Sequence, residues 1–166
     1  MFTSVESEDE VDPGEKVLCI ISCGGRKIWD DSSGRNAGPT PARNVYTGNF
    51  VRLNQKYAER FYPDSWCILS AGYGFLMPDD IVPGNYNVRI TDPEAVSREN
   101  LQEQAQRLGL DRFDRVVVVA GKDYVAAVRR VLPKLRVDAP LAGARGIGDM
   151  MKRVRTALNR GEPLDT

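Results

Sequence analysis

The sequence predicts an α/β protein: a three-layer αβα domain around a mostly parallel four-stranded sheet. Two observations predict it. Three short, continuous apolar runs, Val17–Ile21, Trp66–Leu69 and Val116–Val119, are rich in branched residues, as strands buried on both faces are. Segments of helical period separate them, and strand alternating with helix implies parallel pairing.

Residues 1–14 carry Ser, Glu and Asp with little apolar content and are expected to form a disordered acidic tail. Residues 15–160 are expected to form one domain, and residues 161–166 a short C-terminal tail. The first strand ends in Ser22-Cys23-Gly24-Gly25. The segment from Arg26 to Thr47 has no clear period and reads as a long loop. From Asn49, the residues Phe50, Leu53, Tyr57 and Phe61 recur at helical spacing until Pro63. The second strand stops at the turn Ser70–Phe75, and Met77–Ile90 reads as irregular. Asp92-Pro93-Glu94 has the form of an N-cap followed by proline, so a helix is expected from there to about Leu108, with Gly109 as its stop. The third strand runs into Ala120-Gly121, and Val125, Val128 and Leu132 mark the next helix. A weak fourth strand is expected near Ala139–Ala142, then a basic helix through Met151, Val154 and Leu158.

Composition removes several classes of function. Lys and Arg number 23, as do Asp and Glu, so no global basic field points to nucleic acid. No apolar run reaches the roughly 18 residues of a membrane span, and the acidic N-terminus is unlike a signal peptide, so no membrane partner and a cytoplasmic location are expected. The three cysteines are odd in number and lie in or beside apolar runs, which favours reduced thiols. Histidine is absent. That removes every Ser-His or Cys-His dyad and, with no Cys-x-x-Cys pair, makes a metal site unexpected; no cofactor is implied. Catalysis would have to use Cys, Lys, Tyr, Asp, Glu or backbone dipoles.

Parallel strands joined by right-handed crossovers bring their carboxyl ends to one edge, where open α/β sheets bind ligands. The turn holding Cys23, Gly24, Gly25 and Lys27 offers a thiol, unhindered N–H groups and cations, a combination that suits an anion or a polarised carbonyl. The plainer alternative is that Cys23 packs as a small hydrophobe. In the next turn Ser70 can bond a ligand, Gly72 and Gly74 permit close approach, and Tyr73 can stack on a planar base or sit in the core. Gly121-Lys122 is not a Walker motif, because Asp123 stands where Ser or Thr should follow. Lys122 either meets an anion at a helix start or pairs with Asp123. Arg145 and Gly146 precede the last helix and form a candidate anion cradle. Lys152, Arg153 and Arg155 fit a solvated face as well as a nucleic-acid contact. Tyr46, with Arg43, ends the long loop as a candidate lid.

The ordered turns resemble those of a bacterial and phage family with Cys-Gly-x-x-Lys, Ala-x-x-x-Tyr-Thr, Leu-Ser-Ala-x-x-Gly-Leu and Ala-Gly-x-x-Tyr. The corresponding residues are Cys23–Lys27, Ala42–Thr47, Leu69–Phe75 and Ala120–Tyr124. That family is distantly similar to the YaaA-like peroxide-stress proteins and to the core domain of archaeosine synthase, whose architecture resembles uracil-DNA glycosylase. The resemblance implies a uracil-DNA-glycosylase-like fold and an enzyme acting on a nucleobase or nucleotide, free or within DNA or RNA. Cys23 and Lys27 match the Cys-x-x-x-Lys motif of the archaeosine-synthase core. On that analogy Cys23 attacks an electrophilic carbon, Lys27 assists it, and the Gly72 and Gly121 turns, with Tyr124 following, hold the base or its phosphate. Ile28-Trp29 replaces the Pro-Tyr of that core, and its later histidine is missing, so the amidation reaction itself does not carry over. A non-catalytic nucleotide-binding or sensing domain and a nucleic-acid-binding module are the alternatives.

Overall fold

The computed structural model describes residues 14–165. Of the expected N-terminal tail, all but Gly14 lies outside the described residues. Seven strands are present among them: β1 (Val17–Ser22), β2 (Thr40–Pro41), β3 (Trp66–Ser70), β4 (Gly74–Leu76), β5 (Ile81–Val82), β6 (Arg115–Val119) and β7 (Arg136–Asp138). There are four α-helices: α1 (Asn49–Phe61), α2 (Arg98–Arg107), α3 (Lys122–Val131) and α4 (Ile147–Arg160). The main sheet has five strands in the order β4-β3-β1-β6-β7, and β2 and β5 form a separate two-stranded ribbon. Within the main sheet only β4 runs antiparallel to its neighbour, and the β2–β5 ribbon is antiparallel.

Each apolar run is a strand because both of its faces are covered. In β1, Cys19 and Ile21 pack on one side with Val51, Tyr57 and Ala58 of α1 and Val154 and Ala157 of α4. Leu18 and Ile20 pack on the other, with Leu101 and Ala105 of α2 and Val125 and Val128 of α3. Helices therefore cover both faces of the sheet. Ile20 and Ile21 are both fully buried, and truncating either to alanine would cost about 2–5 kcal/mol.

The chain leaves β1 through α1 to β3 on one side, then reaches β6 on the other side of β1 through α2. Crossovers of one hand travelling in opposite directions place their helices on opposite faces. The reversal opens a crevice between the ends of β1 and β6, the usual ligand site of an open α/β sheet.

Three expectations need correction. The sheet has five strands rather than four, because Gly74, with φ +85°, turns the chain back into β4. The strand expected at Ala139–Ala142 lies earlier, at Arg136–Asp138, and residues 139–144 form tight turns. As an edge strand, β7 has polar ends, with Arg136 and Asp138 paired at 3.0 Å, so its sequence lacks an apolar run. The helix expected from Asp92 begins at Arg98, where the Ser97 side chain accepts a hydrogen bond from the Asn100 N–H at 3.1 Å. Its stop at Gly109, with φ +68°, is as expected. The long loop contains short 3-10 turns at Ile28–Asp30, Ser32–Gly34 and Ala42–Asn44. Beyond α4, the Leu164 N–H donates to the Tyr57 hydroxyl at 2.9 Å. No described helix is long and apolar enough to cross a membrane.

Candidate functional site

The carboxyl ends of β1, β3 and β6 meet at Cys23. Its N–H donates to the Leu69 carbonyl at 3.0 Å, which extends the β1–β3 ladder one residue past the strand. That step sets the thiol facing the turn after β3, where the Ala71 N–H donates to Sγ at 3.4 Å. On the other side the Tyr124 hydroxyl lies 3.2 Å from Sγ, reaching across the crevice from the first turn of α3. Gly24 must lack a side chain here, since a Cβ would stand 2.7 Å from Cγ2 of Val51 on α1.

Lys27 is 2% exposed, an unusual position for a lysine. Its Nζ donates to the Gly25 carbonyl at 3.0 Å and lies 4.2 Å from the centroid of the Tyr86 ring. Every ion pair among the described residues uses an arginine, so Lys27 has no carboxylate partner in salt-bridge contact. Burial holds its ammonium below the usual lysine range, against the opposing pull of Cys23 and Asp30. The backbone of Lys27 bridges that of Tyr46, so the two ends of the long loop are tied together at this point.

A chain of hydroxyls completes the wall. The Gly72 and Tyr73 N–H groups donate to Ser70 Oγ at 3.2 and 3.0 Å. Ser70 Oγ donates to Tyr86 Oη at 2.7 Å, and Tyr86 Oη shares a 2.6 Å hydrogen bond with Tyr46 Oη. Tyr73 meets Tyr86 edge-on, with centroids 5.3 Å apart, and donates its hydroxyl to the Gly84 carbonyl at 3.0 Å. Burial, with smaller contributions from Cys23 and Tyr46, pushes the hydroxyls of Tyr86 and Tyr124 well above the ordinary tyrosine range. Tyr46 is pushed up to about 12, again chiefly by burial. All three remain neutral donors at physiological pH.

The fold thus brings Cys23, Lys27, Tyr46, Ser70, Tyr73 and Tyr124 into one cluster. Tyr46 is fully buried and forms an inner wall of that cluster, so it is not a lid. Arg43 turns away from it, pairing with Asp79 at 2.9 Å and lying over Trp66 at the opposite end of β3. Gly72 is exposed, yet a Cβ there would lie 2.7 Å from the Tyr86 ring, so the close approach it permits is made by the protein itself. Gly74 serves the β3–β4 turn, held beside Gln104 of α2. Tyr86 was not anticipated. Its signal in the sequence is a single aromatic residue set among turn formers, Gly84-Asn85-Tyr86-Asn87, in a segment without period.

Gly121, Lys122 and Gly146 belong to a neighbouring cleft of about 800 Å³ between the first turns of α3 and α4, walled by Ala120, Val125, Leu141 and Met150. Lys122 makes no ion pair with Asp123, and the Arg145 N–H is taken by Asp149 at 3.0 Å. A smaller depression of about 450 Å³ is lined by Gly25, Asp30, Asn85, Tyr86 and Asn87. Neither cavity is lined by Cys23, Lys27 or Tyr124; the smaller one meets the cluster through Gly25 and Tyr86. All three cysteines are free, and Cys19 and Cys67 are fully enclosed in the sheet. No group of three or more His, Cys, Asp or Glu residues able to hold a metal occurs among the described residues.

The model of a family described as "Family of unknown function (DUF6884)" matches residues 18–156. The chain belongs to that family. The matched span contains every residue of the cluster as well as both clefts. A family relative by sequence, "Uncharacterized protein YfjM" of Bacillus subtilis (strain 168), is 36% identical over 152 residues, which cover 90% of this chain and 99% of that protein. The likeness therefore extends over the whole α/β unit, not over a single motif.

Proposed function

We propose that this member of the family is an enzyme acting on a nucleobase or nucleotide, free or within a nucleic acid, with Cys23 as its nucleophile. The observation that carries the reading is the setting of the Cys23 sulfur. It takes an N–H from Ala71 and lies within hydrogen-bonding distance of the Tyr124 hydroxyl, beside a buried lysine with no carboxylate in contact. The two contacts hold the sulfur at the mouth of the β1–β6 crevice, and a cysteine sulfur is a ready nucleophile. In the proposed step the thiolate forms a bond to an electrophilic ring carbon. The displaced electron pair moves to the adjacent ring nitrogen, which takes a proton from Lys27 or Tyr124. The uracil-DNA-glycosylase-like architecture suggested by the ordered motifs agrees with this reading.

The test is covalent capture. Halogenated purines and pyrimidines, incubated with the protein, should add the mass of one base less hydrogen halide to the wild type, cyano-substituted ones should add one whole base, and neither should add to Cys23→Ser, as read by intact mass and peptide mapping. If no base adds and iodoacetamide labels Cys23 no faster than a denatured control, Cys23 is a packing residue.

A second reading has its own support. The 800 Å³ cleft at Gly121, Lys122 and Gly146 suits a non-catalytic nucleotide-binding domain. Nucleotide binding that survives Cys23→Ala but weakens in Lys122→Ala, without any covalent adduct, would favour it.

A further inference from the structure

Tyr86 sits among the residues of the Cys23 cluster. Its ring lies against Gly72, beneath the Lys27 ammonium and edge-on to Tyr73, and its oxygen bonds both Ser70 and Tyr46. A flat surface, a cation, an aromatic edge and two hydroxyls are the contacts that recognise a planar ring bearing one oxygen. The segment supplying this ring is tied down by side chains and not by its backbone. Pro83–Val88 has neither helix nor strand, and none of its backbone groups bonds another backbone group among the described residues. The segment is fastened by side chains instead: Asn85 Nδ2 to Asp30 Oδ1 at 2.9 Å, the Tyr73 hydroxyl to the Gly84 carbonyl, and Tyr86 itself. Segments so fastened open at low free-energy cost compared with the sheet beneath them.

We propose that Tyr86 is a resident plug in a subsite for a planar six-membered lactam ring, and that the Pro83–Val88 segment must swing outward to admit it. The carbonyl oxygen of the lactam takes the place of Tyr86 Oη between Ser70 and Tyr46, and the ring lies over Gly72 within reach of Lys27. The assignment rests on the nucleobase reading for its ligand class, since the six-membered rings of several bases are lactams. It also explains why Cys23 is only 8% exposed although its surroundings favour reaction.

The experiment is iodoacetamide labelling of Cys23 in the full chain, with Cys19 and Cys67 as buried internal controls. Tyr86→Ala should be labelled at least tenfold faster than the wild type. Millimolar 2-pyridone, a lactam close to phenol in size, should reverse most of that gain and raise the melting temperature of the variant, whereas benzene should do neither. Should Tyr86→Ala fail to fold, Asn85→Ala, which releases the segment from Asp30 and leaves the ring intact, should still raise labelling severalfold. Unchanged labelling in the folded Tyr86→Ala protein, or in Asn85→Ala where Tyr86→Ala does not fold, overturns the plug. Protection by p-cresol but not by 2-pyridone overturns the lactam assignment. The outcome is separable from the enzyme reading: protection by 2-pyridone without any base adduct on Cys23 leaves the subsite standing and removes the chemistry.

Discussion

The sulfur of Cys23 and the hydroxyl oxygen of Tyr124 lie 3.2 Å apart, joining the end of β1 to the start of α3 over a sequence separation of 101 residues. The pair spans the crevice where the chain reverses its direction across the sheet. If the hydroxyl donates to a thiolate, Tyr124→Phe should slow alkylation of Cys23 at neutral pH by about tenfold, the worth of one hydrogen bond to a charged group. Equal rates at neutral pH would mean that the tyrosine only packs against the sulfur.

Lys27 makes stability depend on pH in an unusual direction. Burial holds its folded-state pKa below that of the unfolded chain, about 10.4. Between the two values the unfolded chain binds more protons, so stability rises with pH across that window, and below it the full cost of burying the ammonium remains. Lys27→Met should therefore melt higher than the wild type at pH 7, with the difference narrowing as pH approaches 10. A lower melting temperature for Lys27→Met at pH 7 would show that the contacts to Gly25 and Tyr86 outweigh desolvation.

Gly24 and Val51 fix how closely α1 packs on the reactive turn. A Cβ at position 24 would stand 2.7 Å from Val51 Cγ2, and a helical valine has little freedom to rotate away. Gly24→Ala should cost about 1–3 kcal/mol in chemical denaturation. Combined with Val51→Ala, the loss should be smaller than the sum of the two single losses by at least about 1 kcal/mol. Strict additivity would refute the proposed clash.

Asn54 is fully buried on α1, and neither of its side-chain polar atoms has a hydrogen-bond partner. An unsatisfied buried amide costs about 1–3 kcal/mol, so Asn54→Leu should raise the melting temperature by roughly 2–4 °C for each kcal/mol recovered. A fall in melting temperature would point to a role for the amide that outweighs this cost.

Much of the architecture was legible in sequence. Val17–Ile21, Trp66–Leu69 and Val116–Val119 announce themselves because central parallel strands are apolar on both faces. The spacing of Phe50, Leu53, Tyr57 and Phe61 located α1, but its buried face is Val51, Asn54, Tyr57 and Ala58, with Phe50, Leu53 and Phe61 half-buried beside it. Edge elements were not legible. β7 has one apolar residue between two charged ones, and β4 is a three-residue return made possible by the positive φ of Gly74. Asp92-Pro93 looks like a helix start, but the chain there is drawn back to the sheet, with the Val96 N–H on the Ala71 carbonyl, and Ser97 caps the helix instead.

The candidate site divides in the same way. Cys23, Lys27, Ser70, Tyr73, Gly121 and Tyr124 could be assigned to one edge from sequence alone, because parallel strands with short turns leave their carboxyl ends no other place. Local pattern determined that much. Which of these residues touch depends on strand order and on turns too short to carry a periodic signal. Tertiary structure alone placed Tyr86 on Gly72, buried the Lys27 ammonium without a salt-bridge partner among the described residues, and made Tyr46 a wall and not a lid, since each position arises from contacts between segments far apart in the chain.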